Sequence, residues 1–272
     1  MTITTSRTRR TQAATLFISI ALSIPILNSA RADDAQIPTT QPTTLTQDST
    51  LDEVLTALWQ RGETLSSLSA KVELKELDPA IGKETYRLGT LALDRKDGAT
   101  RILVNFTESG NERRSKEEHN VYLLAGESLI ERNYETRKEI THQIKEMGDD
   151  TDILKLGQGP FPLPIGQHPD EVRDQFEVAL VSDPDLHPDK VGIELRPKPE
   201  TRLANKIHVI VAWIDPSNQM PVIIETTDAN ETKTTTSSLT EVKINEGVDD
   251  STFALEPIDE SNWMTINEKF NE

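Results

Sequence analysis

Hydrophobic positions follow two regimes along the chain. In "STLDEVLTALWQRGETLSSL" the apolar residues Leu51, Val54, Leu55 and Leu58 recur at three- and four-residue intervals, and Leu65 and Leu68 extend the series towards Ser69. That spacing predicts an amphipathic helix of roughly four turns. Thr50 and Glu53 form a capping box ahead of it, satisfying backbone N–H groups that the first turn leaves without partners. After Ser69 the period drops to two, with Val72 and Leu74 alternating with charged residues. "YRLGTLALDRKDGATRILVNF" reads as two strands about Asp97-Gly98, a pair that tolerates positive φ, with Ile102, Val104 and Phe106 sharing one face. "ESGNERRSKEEHN" reads as a charged turn, and "VYLLAGESLIERNYETRKEITHQI" as two or three further strands. "HPDEVRDQFEVAL" opens on Pro169 and acidic residues, the composition of a short helix start. "KVGIELRPK", "KIHVIVAWID", "MPVIIETTD", "KTTTSSLTEVKIN" and "STFAL" continue as a meander broken by polar turns. No internal repeat is present. The pattern predicts a mainly β (α+β) fold. One long antiparallel sheet must curve strongly, and the N-terminal amphipathic helix and the short second helix cover its open face.

One stretch fits neither period. In "GQGPFPLPIGQ", Gly157 to Gln167, three prolines alternate with Phe161, Leu163 and Ile165. Residues before proline are pushed to extended geometry, so the strip is stiff, and without proline N–H groups it cannot be a central strand. Burying one Phe, one Leu and one Ile contributes about 1.5–3 kcal/mol each, so bare exposure in water would forfeit several kcal/mol. The strip must dock, either permanently as core or reversibly as a lid over an apolar cavity. The residues leave both open.

Composition sets the compartment. The chain starts "MTITTSRTRRTQAATLFISIALSIPILNSARADD": a basic segment with Arg7, Arg9 and Arg10, an apolar run too short for a comfortable membrane span, and Ala30-Arg31-Ala32 as a small-x-small cleavage site. Residues 1–32 are expected to be a signal peptide that exports the protein to the periplasm; their retention as an anchor is the other reading. They hold four arginines and no acids, so their removal takes the formal net charge from −17 to −21 over the remaining 240 residues. Such a chain repels nucleic acid and anionic lipid headgroups. The absence of cysteine leaves stability to the core and removes the acylation residue of a lipoprotein. No stable membrane insertion is expected after cleavage. Residues 33–48, rich in Thr, Pro and Gln, are expected to be a disordered linker, 49–257 the folded domain, and 258–272 a tail docked through Trp263.

Candidate chemistry is sparse. His119, His142, His168, His187 and His208 show no metal-binding spacing. "GESLI" lacks the second glycine of a nucleophile elbow, and no phosphate-binding glycine loop occurs. Asp183, Asp185 and Asp189 lie close together without the glycine and closing glutamate of a calcium loop. Neither catalytic residues nor a cofactor nor a metal is expected. An apolar ligand is the remaining chemistry.

The ordered set of the capped helix ending in "SLSAKVEL", "GTLALDRKDGATRILVNF", "LLAGESLIERNYETRKEITHQI", "LKLGQGPFPLPIGQ" and the closing meander resembles the outer-membrane lipoprotein carrier (LolA) family, in particular its larger LolA-like branch, over about residues 49–257. The resemblance implies an incomplete antiparallel β-barrel with helices over its mouth. It also implies a monomeric periplasmic carrier or chaperone, without cofactor, that binds the acyl chains of lipoproteins or lipid. Its partners would be an inner-membrane release complex and an outer-membrane acceptor. The family's strand motif matches Gly89, Leu91 and Arg95, with Lys96 in place of a proline, and implies that Arg95 holds the lid. The apolar cavity or lid candidates are Trp59, Phe106, Phe161, Leu163, Ile165 and Trp213. A sensory domain that binds lipid or lipoprotein without transporting it, and an undetected hydrolase, are the alternative functions.

Overall fold

The computed structural model describes residues 44–96, 98–143 and 165–269. The elements in chain order are α1 (Leu51–Thr64), β1 (Ser67–Asp78), β2 (Lys83–Lys96), β3 (Ala99–Asn111), β4 (Arg114–Ala125), β5 (Ser128–Asn133), β6 (Lys138–Gln143), α2 (Pro169–Gln175), β7 (Phe176–Val181), β8 (Val191–Pro197), β9 (Ile207–Asp215), β10 (Met220–Asp228), β11 (Thr234–Ile244) and β12 (Met264–Lys269).

The start of α1 follows the capping box: the Thr50 hydroxyl accepts from the Glu53 N–H, and the Glu53 carboxylate accepts from the Thr50 N–H at 2.8 Å. The end comes earlier than the apolar series implies. Leu65 turns to extended backbone, and Leu68 belongs to β1. A distant residue holds this exit open. The Asn245 carboxamide accepts from the N–H groups of Ser66 and Ser67 and donates to the Thr64 carbonyl. Leu65 and Leu68 still reach the core, by two different elements.

The strands form one sheet in the order β12-β6-β5-β4-β3-β2-β1-β11-β10-β9-β8-β7. All neighbours pair antiparallel except β12, which runs parallel to β6, so the sheet is mixed. Its edge strands, β7 and β12, are the two ends of the order and do not pair with each other. Register shifts at Ser69/Lys71, Leu88/Gly89, Phe106/Glu108 and Pro221/Ile223 add local twist. The supposed charged turn after β3 is only Glu112-Arg113; its remaining charges lie along β3 and the exposed first half of β4, where side chains reach water while the ladder continues. "FEVAL" leaves the second helix at Gln175 to become β7, and "STFAL" forms a 3-10 turn at Asp250–Phe253 instead of a strand.

The sheet has two differently used faces. Ile102, Val104 and Phe106 do share one face, and with α1 and the inward residues of β1, β2 and β7–β11 they form the main core. Leu45 is also packed there, so the ordered chain reaches behind the expected boundary at residue 49. The opposite face carries a smaller cluster, in which Ala92, Leu103, Val121 and Leu123 meet Phe253. Phe253 belongs to a strap that leaves β11 and crosses this outer face. Arg101 lies over the Phe253 ring and pairs with both Asp94 and Asp250 at 2.6 Å. The strap then enters as β12, beside Trp263, which meets Tyr134 edge-on at 5.4 Å. Such a crossing returns the chain in the direction of β11, which explains the single parallel pair. Among the described residues no helix is long and apolar enough to cross a membrane.

Candidate apolar site beneath helix α1

Helix α1 packs Val54, Leu55, Ala57 and Leu58 onto the inner face of the sheet. Its polar ties to the sheet gather at its C-terminal end. The Arg61 Nε donates to the Asn218 carbonyl at 2.7 Å, in the turn between β9 and β10, and burial lowers the Arg61 pKa. Arg95 on β2 donates from Nη1 to the carbonyl of Gly62 at 2.6 Å and reaches that of Leu65. These carbonyls are the ones a helix end leaves without intrahelical partners, so Arg95 both caps α1 and fixes it to the sheet. Arg95→Leu is therefore expected to lower stability by about 1–2 kcal/mol. Urea unfolding measures this, and an unchanged midpoint would show that the cap does not hold the helix.

The strip ends against this helix. Ile165 is 1% exposed and belongs to the main core. The Gly166 N–H donates to the Leu58 carbonyl at 3.2 Å. A Cβ on Gly62 would stand 2.1 Å from the Cα and N of Gly166, and Gly166 itself has φ +78. Two glycines thus let main chain pass directly over main chain. Gln167 follows, 4% exposed, with neither atom of its carboxamide in a hydrogen bond. His168 then caps α2 by accepting from the Asp170 N–H, and its ring meets Trp59 edge-on at 4.8 Å. Asp52 and Arg173 pair across the two helices.

The structure sorts the candidates. Phe161 and Leu163 lie outside the described residues. Ile165 and Phe106 lie in the main core, and Trp59 is half-buried at the junction of α1 and α2. Trp213 lies apart from these. Ile210, Ala212 and Ile214 of β9 point into the core, so Trp213, one residue out of phase, lies on the outer face. There it covers Gly192, meets His187 at 4.4 Å and donates from Nε1 to Glu225. Its strand position alone did not settle the phase.

Three features escaped sequence reasoning. Gly62 had a signal: glycine inside a helix costs about 1 kcal/mol against alanine, which asks for a packing reason. Gln167 had none, because no local pattern encodes the burial of a polar residue between elements. The third is a polar end to the inner face. Arg87 lies 4.0 Å over the Phe106 ring and pairs with Glu118 through two hydrogen bonds, with the Tyr122 hydroxyl nearby. Burial alone would lower the Arg87 pKa, but Glu118 and Tyr122 outweigh it and raise it. The inner face thus grades from wholly apolar beneath α1 to a paired charge beyond Phe106. No group of three or more His, Cys, Asp or Glu side chains that could hold a metal occurs among the described residues.

No family model matches the chain, and no curated protein matches it. Distant structural similarity is found to solved structures. An uncharacterized conserved protein from Thermus thermophilus shares 12% identity over 79% of this chain and 98% of its own, with a TM-score of 0.46. The MucA/MucB complex of Pseudomonas aeruginosa contains a chain with 9% identity over 75% of this chain and 60% of its own, with a TM-score of 0.43. A LolA superfamily protein from Nitrosomonas europaea shares 11% identity over 74% of this chain and 97% of its own, with a TM-score of 0.34.

Proposed function

We propose that this protein is an exported carrier that holds the acyl chain of a lipoprotein or lipid between helix α1 and the inner face of its sheet, and delivers it across the periplasm. The observation that carries this reading is the apolar stretch of the inner face beneath α1, under a helix whose polar ties to the sheet lie at one end. Arg61, Gly62 and Leu65 fix the C-terminal end of α1 to the sheet, while the side chains of Val54, Leu55 and Leu58 meet the sheet by apolar contact. An acyl chain replaces apolar contacts with apolar contacts of similar strength, so it can enter between these side chains and the sheet. Phe106 would line the deep end and Trp59 the end near α2. In this reading Ile165 belongs to the side that yields to ligand. The inner membrane would supply the cargo and an outer-membrane acceptor would take it. The ordered resemblance to LolA carriers agrees with this assignment.

Bromine quenching tests the placement. Brominated palmitate is expected to quench Trp59 in a variant carrying Trp213→Phe and Trp263→Phe, whereas plain palmitate leaves that emission unchanged. Trp213, on the outer face, should not respond when Trp59 and Trp263 are replaced by Phe. Quenching of Trp213 in place of Trp59 would put the ligand on the wrong face and remove the proposal.

A further inference from the structure

Gln167 poses a chemical question that the fold does not answer. The residue is 4% exposed, and both Oε1 and Nε2 of its side chain are buried without a hydrogen-bond partner. Buried amides in folded proteins nearly always find partners, and one left wholly unmet weakens the fold unless something else meets it. A leucine or methionine would fill the same place without that penalty. Its chain neighbours touch the proposed site. Ile165, two residues before it, is seated in the core; Gly166 is bonded to the Leu58 carbonyl of α1; His168, just after it, meets Trp59.

We infer that Gln167 reads the polar group at the end of the bound acyl chain, and that this group is the first amino-acid residue of an N-acylated peptide. This rests on the acyl-binding reading above. A carboxamide presents one donor edge and one acceptor edge side by side. In an extended residue the main-chain N–H and C=O point the same way, so Nε2 can donate to that carbonyl while Oε1 accepts from that N–H. A fatty-acid carboxylate offers acceptors only; it would satisfy Nε2 and set negative charge against Oε1. An acyl ester has the same lack of a donor. Of the three, the N-acylated residue alone satisfies both atoms, and a site built to bond a polar group rejects analogues that lack it. The inference thus separates acylated protein from free fatty acid as the cargo.

The test compares palmitate with N-palmitoyl-alanine amide on the full exported chain, in the wild type and in Gln167→Met and Gln167→Leu. The wild type is expected to bind the amide about tenfold more tightly than palmitate. Both variants should lose that preference while keeping palmitate affinity within about twofold. Their ligand-free thermal midpoints should not fall, because no internal bond is lost. A preference that survives in both variants, or its absence from the wild type, would overturn the role of Gln167 while leaving acyl binding intact. A lowered midpoint in both would show that the carboxamide is bonded within the protein and would also overturn it. Failure of the wild type to bind either probe would remove the acyl-binding reading and this inference together.

Discussion

Replacing Gly62 by valine is expected to destabilise the protein by about 3 kcal/mol and to abolish high-affinity acyl binding. The new Cβ would stand 2.1 Å from the backbone of Gly166 and 3.0 Å from the carbonyl carbon of Ile165. No flexible side chain lies there to move aside, so the segment carrying Ile165 must leave its seat against α1. Gly62→Ala sharpens the point. Helix propensity alone would make it stabilising by about 1 kcal/mol, yet the same contact makes it destabilising here. Urea unfolding of both variants decides the matter. A Gly62→Ala protein as stable as the wild type would show that the strip does not pack against the helix.

The second large effect lies on the outer face. Arg132, with its side chain only 6% exposed, pairs with Glu139 at 2.6 Å and donates to the Glu256 carbonyl at 2.7 Å and to the Tyr134 hydroxyl. It also lies over the rings of Tyr134 and Trp263. Burial alone would lower its pKa, but Tyr134 and Glu139 more than offset this and raise it. Arg132→Leu leaves the Glu139 carboxylate and a strap carbonyl without partners, which is expected to cost about 3–5 kcal/mol. The strap and β12 should then become the first site of proteolytic cleavage. Adding Glu139→Leu should restore most of the loss, because it removes the stranded charge. A loss below about 1 kcal/mol for Arg132→Leu would mean that the strap is held mainly by Phe253 and the β12–β6 ladder.

Much of this architecture was legible because it is written in local periods. The capping box at Thr50 and Glu53, the shared face of Ile102, Val104 and Phe106, and the proline-led helix at Pro169 each arise within a few neighbouring residues. What was not legible depends on distant contacts. Helix α1 stops at Thr64 because Asn245, far along the chain, brackets its exit. The "STFAL" segment alternates like a strand, but Phe253 is claimed by the outer-face cluster and Asp249 turns the chain by accepting from the Ser251 N–H. The parallel pairing of β12 follows from the path of the strap, which no pattern in "NWMTINEK" encodes. The candidate site divides in the same way. The strip stood out by its prolines, although only its end from Ile165 lies among the described residues, and Arg95 was pointed to by the resemblance and caps α1. The face of Trp213 was not legible because strand period fixes alternation without fixing which face is inner. Gln167 stayed hidden because a polar residue beside a helix start is ordinary until its burial is known.

Native mass spectrometry of the protein purified from its native host, before and after delipidation, tests the central claim most directly. The account predicts a population carrying one acyl-bearing adduct per chain, which delipidation removes and an added N-palmitoyl peptide restores. A protein that is ligand-free as isolated and takes up no acyl probe after delipidation would contradict it.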